Sequence, residues 1–211
     1  FLPQKYVGKV QLLVPGAQID PATTSTITVE KQTRGVMFAS ATWHFSTDRL
    51  PTQGVGDLFH VERQYFRRTH NGKEYVLTPL AEGTELAVGE ELEVHLSLRS
   101  KHAAEYVHLR DPRAAGLEPE NAVSRYRWDL GVAAYEEVRD SSTNYFFEHL
   151  PAGEYTFTYR VRASMAGTFK VGPATLQSVY APEFAAYSAG QQLTIRAAGQ
   201  STSAPSPGSS Q

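Results

Sequence analysis

The sequence predicts an all-β chain built around an antiparallel β-sandwich. Three observations carry that reading. Gly and Pro recur along the whole length, and the segments between them are short and rich in Val, Thr, Leu, Tyr and Phe. No window longer than about ten residues holds a 3.6-residue apolar period. A length of 211 residues accommodates one large β domain, or one domain and part of another.

Taken in order, Tyr6 to Val14 reads as a strand stopped by the turn signal Pro15-Gly16. Ser25 to Glu30 sets Ile27 and Val29 on one face. Gly35 to Phe45 carries Val36, Phe38, Trp43 and Phe45, whose parity changes midway as at a bulge. Asp48 to Asp57 holds Pro51, Gly54 and Gly56 and reads as a linker or boundary. Leu58 to Arg67 is the next strand. Asn71-Gly72 is the strongest hairpin signal because both residues tolerate positive φ, and Lys73 to Thr78 is the returning strand.

Leu86 to Leu98 is the clearest strand. Leu92, Val94, Leu96 and Leu98 alternate with Glu93, His95, Ser97 and Arg99, so one face is buried and the other wet. Tyr106 to Leu109 is a further strand ending at Asp111-Pro112, and Pro112 to Ala122 reads as a surface connection. Tyr145 to Glu148 and Tyr155 to Ala163 flank a tight turn at Leu150-Pro151-Ala152-Gly153. Gly167 to Val171 and Gln191 to Ile195 are the last strands. Ser178 to Ser188, with Val179, Tyr180, Phe184 and Tyr187, comes nearest to one or two helical turns. From Gly199 the chain holds only Gln, Ser, Thr, Ala, Pro and Gly, and predicts disorder. The expected organisation is 1–52, the trailing strands of a preceding β domain that is incomplete here; 53–198, the sandwich; and 199–211, the tail.

Composition narrows the function. A net charge of -2, from 20 basic and 22 acidic residues spread along the chain, provides no electrostatic footprint for nucleic acid or an anionic membrane. The absence of cysteine removes disulfides, thiolate nucleophiles and cysteine-ligated metal, but does not settle the compartment. No apolar stretch approaches the length of a membrane-spanning helix. The opening on Phe1, without a signal-peptide pattern, suggests a piece of a longer protein.

The search for chemistry points to a chain that is not an enzyme and takes no cofactor or metal. No Gly-x-Ser-x-Gly elbow occurs, and the serines after Asp140 read as a loop tip. Glu93, His95 and His108 could meet as metal ligands only if their strands were neighbours; their polar parity makes them solvated side chains. The remaining histidines lack ligand spacing, and no Asp-x-Asn-x-Asp calcium pattern is present. Asp111, before Pro112, is assigned a loop-structuring task through nearby backbone N–H groups. Arg139 beside Asp140 suggests a charge-assisted pair, and Gly116 and Gly153 mark turns. Phe146, Phe147, Tyr155, Phe157 and Tyr159 read as core and cross-strand neighbours. Tyr145, Tyr180 and Tyr187, at segment ends, are candidate surface-contact aromatics.

A family resemblance adds to this. Glu105-Tyr106-Val107-His108-Leu109-Arg110-Asp111-Pro112, continuing through Ala114-Ala115-Gly116-Leu117-Glu118-Pro119 to Asn121, forms the first motif. Tyr135-Glu136-Glu137-Val138-Arg139-Asp140 and Tyr145-Phe146-Phe147 with Leu150-Pro151-Ala152-Gly153-Glu154-Tyr155 follow in order. Tyr159-Arg160-Val161-Arg162-Ala163 with Gly167-Thr168-Phe169, and Tyr180-Ala181-Pro182-Glu183 with Ser188-Ala189-Gly190, complete the set. Together they resemble the C-terminal region of bacterial alpha-2-macroglobulin-like proteins. The resemblance implies the terminal macroglobulin-type sandwich, similar to the receptor-binding domain of the animal proteins. It further implies a structural part of a large protease-entrapping inhibitor in the bacterial periplasm or cell envelope. Its partners would be other domains of the parent and, through the parent, a protease. Two departures stand out: Arg113-Ala114-Ala115-Gly116 lacks the family's proline, and no cysteine is present for a thioester, which the family carries far upstream. The competing reading is an independent cell-surface binding module for protein or carbohydrate.

Overall fold

The computed structural model describes residues 11–20, 26–32, 34–37, 39, 41, 49–129 and 131–198. The chain divides into two units, Phe1–Phe45 and Ser46–Gln211. In the first, the Pro15-Gly16 signal forms a single 3-10 turn at Gly16–Gln18, with the Gln18 N–H donating to the Pro15 carbonyl at 2.9 Å. The described parts of the three expected strands, 11–14, 26–30, 35–37, 39 and 41, are not strand. Leu12, Leu13, Ile27, Val29 and Val36 are exposed there. β-prone composition makes a strand only where a neighbouring strand supplies the ladder. The rest of those segments, including Trp43-His44-Phe45, and the tail from Gly199 lie outside the described residues.

The second unit is all-β. Its strands are β1 (Phe59–His70), β2 (Tyr75–Pro79), β3 (Glu85–Ala87), β4 (Glu91–Ser100), β5 (Ala104–Pro112), β6 (Leu117–Pro119) and β7 (Arg125–Asp129), followed by β8 (Val132–Val138), β9 (Ser142–Leu150), β10 (Gly153–Ala163), β11 (Gly167–Val171), β12 (Thr175–Ser178), β13 (Ala185–Tyr187) and β14 (Gln191–Arg196). They form a five-stranded sheet in the order β2-β1-β4-β10-β6 and a six-stranded sheet in the order β13-β12-β5-β9-β8-β7. A three-stranded sheet, β11-β14-β3, contains a parallel pair, β14 with β3.

The two large sheets bury their inward parities against one another. From the five-stranded sheet come Phe59, Val61, Tyr65, Leu92, Val94, Leu96, Phe157 and Val161; the other supplies Val107, Leu109, Ala134, Tyr145, Phe147 and Leu176. The Phe157 ring bridges the layers, 5.1 Å from Tyr145 and 5.4 Å from Phe147.

The Asn71-Gly72 hairpin forms, but over a four-residue loop, 71–74, so the returning strand opens at Tyr75 rather than Lys73 and only Gly72 of the two takes positive φ. Asn71 Oδ1 accepts from the N–H groups of Lys73 and Glu74, and Gly72 takes φ +93°. Elsewhere the structure corrects the expectation. Leu86 to Leu98 is two strands in different sheets, parted at Gly89 with φ +97°. Pro112 to Ala122 is not only a surface connection, because it contains β6 and buries Ala114 and Leu117. Ser178 to Ser188 holds no helical turn: it is the end of β12, a loop and β13.

The described part of the Asp48 to Asp57 segment, 49–57, is not a free linker. The Gly190 N–H donates to the Pro51 carbonyl at 2.8 Å, and Val55 exchanges backbone hydrogen bonds of 2.8 and 2.7 Å with Tyr187. The small residues read as linker chemistry serve close approach. A Cβ on Gly56 would lie 2.3 Å from the Phe59 carbonyl oxygen and 3.1 Å from Ala186 Cα.

Candidate functional site

Parity gives the sandwich two unlike outer faces. On the five-stranded sheet the outward residues form an ion-pair ladder. Arg68 donates to Glu91 at 2.6 Å, and Arg162 bridges Glu91 at 2.8 Å and Glu120 at 2.7 Å. Beside them Glu93 takes Arg160 at 3.3 Å and His95 at 3.0 Å. Such a face is at rest in water.

The outer face of the six-stranded sheet carries rings. Strand register aligns Tyr126 of β7 with Tyr135 of β8, Tyr135 with Phe146 of β9, and Phe146 with His108 of β5. The Tyr126 and Tyr135 rings lie 5.0 Å apart, while Phe146 and His108 stack at 4.5 Å with an interplanar angle of 3°. His108 is fixed by Asn144, whose Oδ1 lies 3.1 Å from Nε2, and burial holds its imidazole below the usual histidine range. Further along β5, Tyr106 takes φ +50°, a conformation bulky residues rarely adopt. Its carbonyl accepts from the Val179 N–H at 2.8 Å, and its ring meets Tyr180 edge-on at 5.1 Å.

Between the sheets lies a polar hub. Arg63 Nη1 donates to Asp111 Oδ1 at 2.7 Å, and the Tyr159 hydroxyl donates to Asp111 Oδ2 at 2.7 Å. Arg63 also donates to Gln191 Oε1 at 3.2 Å and to the Pro112 carbonyl at 3.4 Å. Burial pushes the Asp111 carboxyl upward against the pull of Arg63, and raises the Tyr159 hydroxyl well above its ordinary value. A second buried carboxylate, Glu136, accepts from the Tyr145 hydroxyl at 2.9 Å and from Arg127 and Arg125 at 3.2 Å each. Arg63 and Asp111 are sealed from solvent, so this ionic centre meets no substrate. Its effect is to lock one sheet to the other.

The family model of the Bacterial Alpha-2-macroglobulin MG10 domain matches residues 59–183, more than half of the chain. The chain belongs to the bacterial alpha-2-macroglobulin MG10 domain family. The match opens on the first residue of β1 and closes before β13, so two strands of the sheets lie beyond it. Among curated proteins, an alpha-2-macroglobulin homologue of Nostoc is 26% identical over 125 residues, covering 54% of this chain and 6% of its own length. Circularly permutated Ras protein 2 of Dictyostelium discoideum is 21% identical over 193 residues, covering 83% of this chain and 5% of its own. The solved structure of Escherichia coli alpha-2-macroglobulin activated by porcine elastase shares the fold with a TM-score of 0.56 at 20% identity, over 68% of this chain and 14% of that one. The chain thus spans about one-twentieth of the length of these curated relatives.

Within the MG10 sandwich the sequence-predicted residues separate. Asp111 is structural, yet not through backbone N–H groups: both oxygens take side chains from the opposite sheet. Arg139 pairs with Glu137 rather than Asp140. The loop at 139–141 is held by Arg113, which donates to the Arg139 carbonyl at 2.7 Å and the Asp140 carbonyl at 2.9 Å. At Gly116 a Cβ would meet the Phe169 ring at 2.3 Å and Ile195 Cδ1 at 2.9 Å, so the residue admits the three-stranded sheet. Gly153 opens β10 with φ +155°, opposite Ser100.

Tyr145 is not a surface aromatic. It is 0% exposed, because it stands on the inward parity of β9 and its hydroxyl finds Glu136. Tyr180 and Tyr187 are at the surface. His95 and Glu93 lie on one sheet and His108 on the other, which separates the three as ligands. Among the described residues no group of three or more His, Cys, Asp or Glu is placed to hold a metal ion. Sequence reasoning missed Arg63, Tyr106, Tyr126, Tyr135 and Trp128. A strict parity count across β7 to β9 would have found the aromatic row.

Proposed function

We propose that this chain is a non-enzymatic structural domain of a larger alpha-2-macroglobulin-like protein that entraps proteases, and that it docks on neighbouring domains of that protein through the outer face of the six-stranded sheet. The single observation behind this is the row of rings on that face, where half-buried Tyr135 lies between the exposed Tyr126 and Phe146, with exposed Tyr106 and Tyr180 beside them. Contiguous exposed rings on a folded domain mark an interaction surface. Family membership supplies the class, and the relatives' far greater length supplies the neighbours.

In this reading the expected preceding β domain, 1–52, ends earlier, because Pro51 is bonded to Gly190 of the sandwich and the second unit opens at Ser46, and the parent works in the periplasm or cell envelope. The alternative is an independent cell-surface binding module for protein or carbohydrate, and one observation weighs against its carbohydrate form. Phe146 and His108 stack on each other, so each ring gives one of its faces to the other instead of to a sugar. The test compares the isolated chain with the intact parent in a protease-inhibition assay. The parent inhibits and the chain alone does not; inhibition by the isolated chain would refute the division of labour. In the parent, Phe146→Asp should loosen the assembly, read as faster limited proteolysis between domains, without lowering the stability of this domain.

A further inference from the structure

His70 closes β1 and Tyr75 opens β2, and the loop between them, 71–74, is exposed throughout. Its first two residues are Asn71 and Gly72. An asparagine side-chain amide can be attacked by the backbone nitrogen of the next residue, closing a five-membered imide. Glycine leaves that nitrogen unshielded, and around Gly72 the space is open, since a Cβ there would meet nothing within 4 Å.

The hairpin equips both reacting atoms. The Gly72 N–H donates to His70 Nδ1 at 3.1 Å, so that ring nitrogen carries no proton and the imidazole is the neutral tautomer with hydrogen on Nε2. Tyr75, the cross-strand partner of His70, meets its ring edge-on at 4.9 Å and steadies it. On the electrophile, Asn71 Oδ1 accepts from the N–H groups of Lys73 at 3.0 Å and Glu74 at 2.9 Å. Those two donors polarise Cγ and face the oxygen on which negative charge would develop. A base on the nucleophile and paired donors on the electrophile are the aids that acyl transfer uses.

We propose that Asn71-Gly72 is a self-modification site, at which His70 acts as general base in converting the asparagine to an aspartyl or isoaspartyl residue. The Gly72 nitrogen bonds to Asn71 Cγ while its proton passes to His70 Nδ1, and negative charge gathers on Oδ1. Collapse breaks the Cγ–Nδ2 bond, the imidazolium proton goes to the departing nitrogen, and ammonia leaves a succinimide. One water then opens the ring at either carbonyl. Water is the co-reactant, and nothing is oxidised or reduced. The product carries a new negative charge, and opening at the α-carbonyl routes the main chain through Cβ and Cγ, which lengthens the loop between β1 and β2.

The other asparagines lack this arrangement. Asn144 is buried, turns Oδ1 to His108 Nε2, and precedes the bulky Tyr145. Asn121 precedes Ala122, whose side chain crowds the nitrogen, and its Oδ1 accepts from the Val123 N–H alone.

Peptide mapping by mass spectrometry, on the full 211-residue chain stored at neutral pH beside its His70→Gln variant, tests this. Circular dichroism establishes that both are folded. Position 71 should change from amide to acid before Asn121 and Asn144, and His70→Gln should slow that change by at least about tenfold. In urea the two chains should react at one rate, because the contact between Gly72 and His70 is lost. Equal rates in the two folded chains overturn the proposal, as does an Asn71 that outlasts Asn121 or Asn144. A His70 effect that persists undiminished in urea also overturns it, since the cause would be sequence and not this geometry.

Discussion

Arg63 on β1 and Asp111 on β5 meet at 2.7 Å across the interior of the sandwich, and neither side chain is exposed. Desolvating both charges offsets much of their attraction, so the intact pair adds little net stability, whereas removing one partner strands the other. Among the described residues Arg63 Nη2 lies buried without a hydrogen-bond partner, and the other acceptors of the guanidinium, Gln191 Oε1 and the Pro112 carbonyl, are uncharged. Asp111→Asn should therefore lower stability by about 3–5 kcal/mol in urea denaturation. Replacing the whole set with Arg63→Met, Asp111→Leu and Tyr159→Phe should recover most of that loss. A single substitution no worse than the triple one would show that the pair does not hold the sheets together.

His108 carries a pH dependence whose sign follows from its burial. Its folded-state pKa lies below the ordinary histidine value, chiefly through desolvation, so the unfolded chain takes up the proton first. The stability tied to this group is complete above about pH 6.5 and is lost as pH falls through that value toward the folded pKa. Melting temperatures followed from about pH 7 to about pH 5 should fall less steeply in His108→Gln than in the parent chain. Parallel slopes would count against this assignment.

Gly56 tests whether the segment before β1 belongs to the sandwich. A Cβ there would fall on the Phe59 carbonyl and on the backbone of Ala186, neither of which is the yielding tip of a side chain. Gly56→Ala should cost about 1–3 kcal/mol, the usual range for overpacking. It should also speed amide exchange at Val55 and Tyr187, which hydrogen-bond each other. A neutral substitution with unchanged exchange would make the segment a loose linker after all.

Tyr106 holds a left-handed backbone conformation that costs an L-residue about 1–2 kcal/mol, while its ring stays half exposed. Tyr106→Gly should leave the thermal midpoint unchanged or raise it, since glycine adopts this conformation without strain. In the parent protein it should nevertheless weaken the docking assigned to this face. A marked fall in the midpoint would mean that Tyr106 serves packing rather than contact.

Legibility varied along the chain for physical reasons. The alternation from Leu92 to Leu98 and the turn at Asn71-Gly72 report local geometry; the first appears where the residues predict it, and the second does too, with a loop two residues longer than expected. β7 and β8 are not legible in the sequence because Arg125, Arg127 and Glu136 occupy the inward parity, where the alternation of a strand calls for apolar residues. They are tolerated there because they satisfy one another and the Tyr145 hydroxyl. That network also draws Tyr145 inward.

The amino-acid sequence by itself determined the all-β class, the main hairpin, the inward face of β4 and the family, because these depend on neighbours along the chain and on ordered motifs. The tertiary structure alone decided that Asp111 answers to Arg63 and Tyr159, that Gly56 marks a close approach, and that Tyr126, Tyr135, Phe146 and His108 form one row. Each of these depends on which strands lie side by side or face to face. Strand order joins residues far apart in sequence, and local chemistry does not encode it.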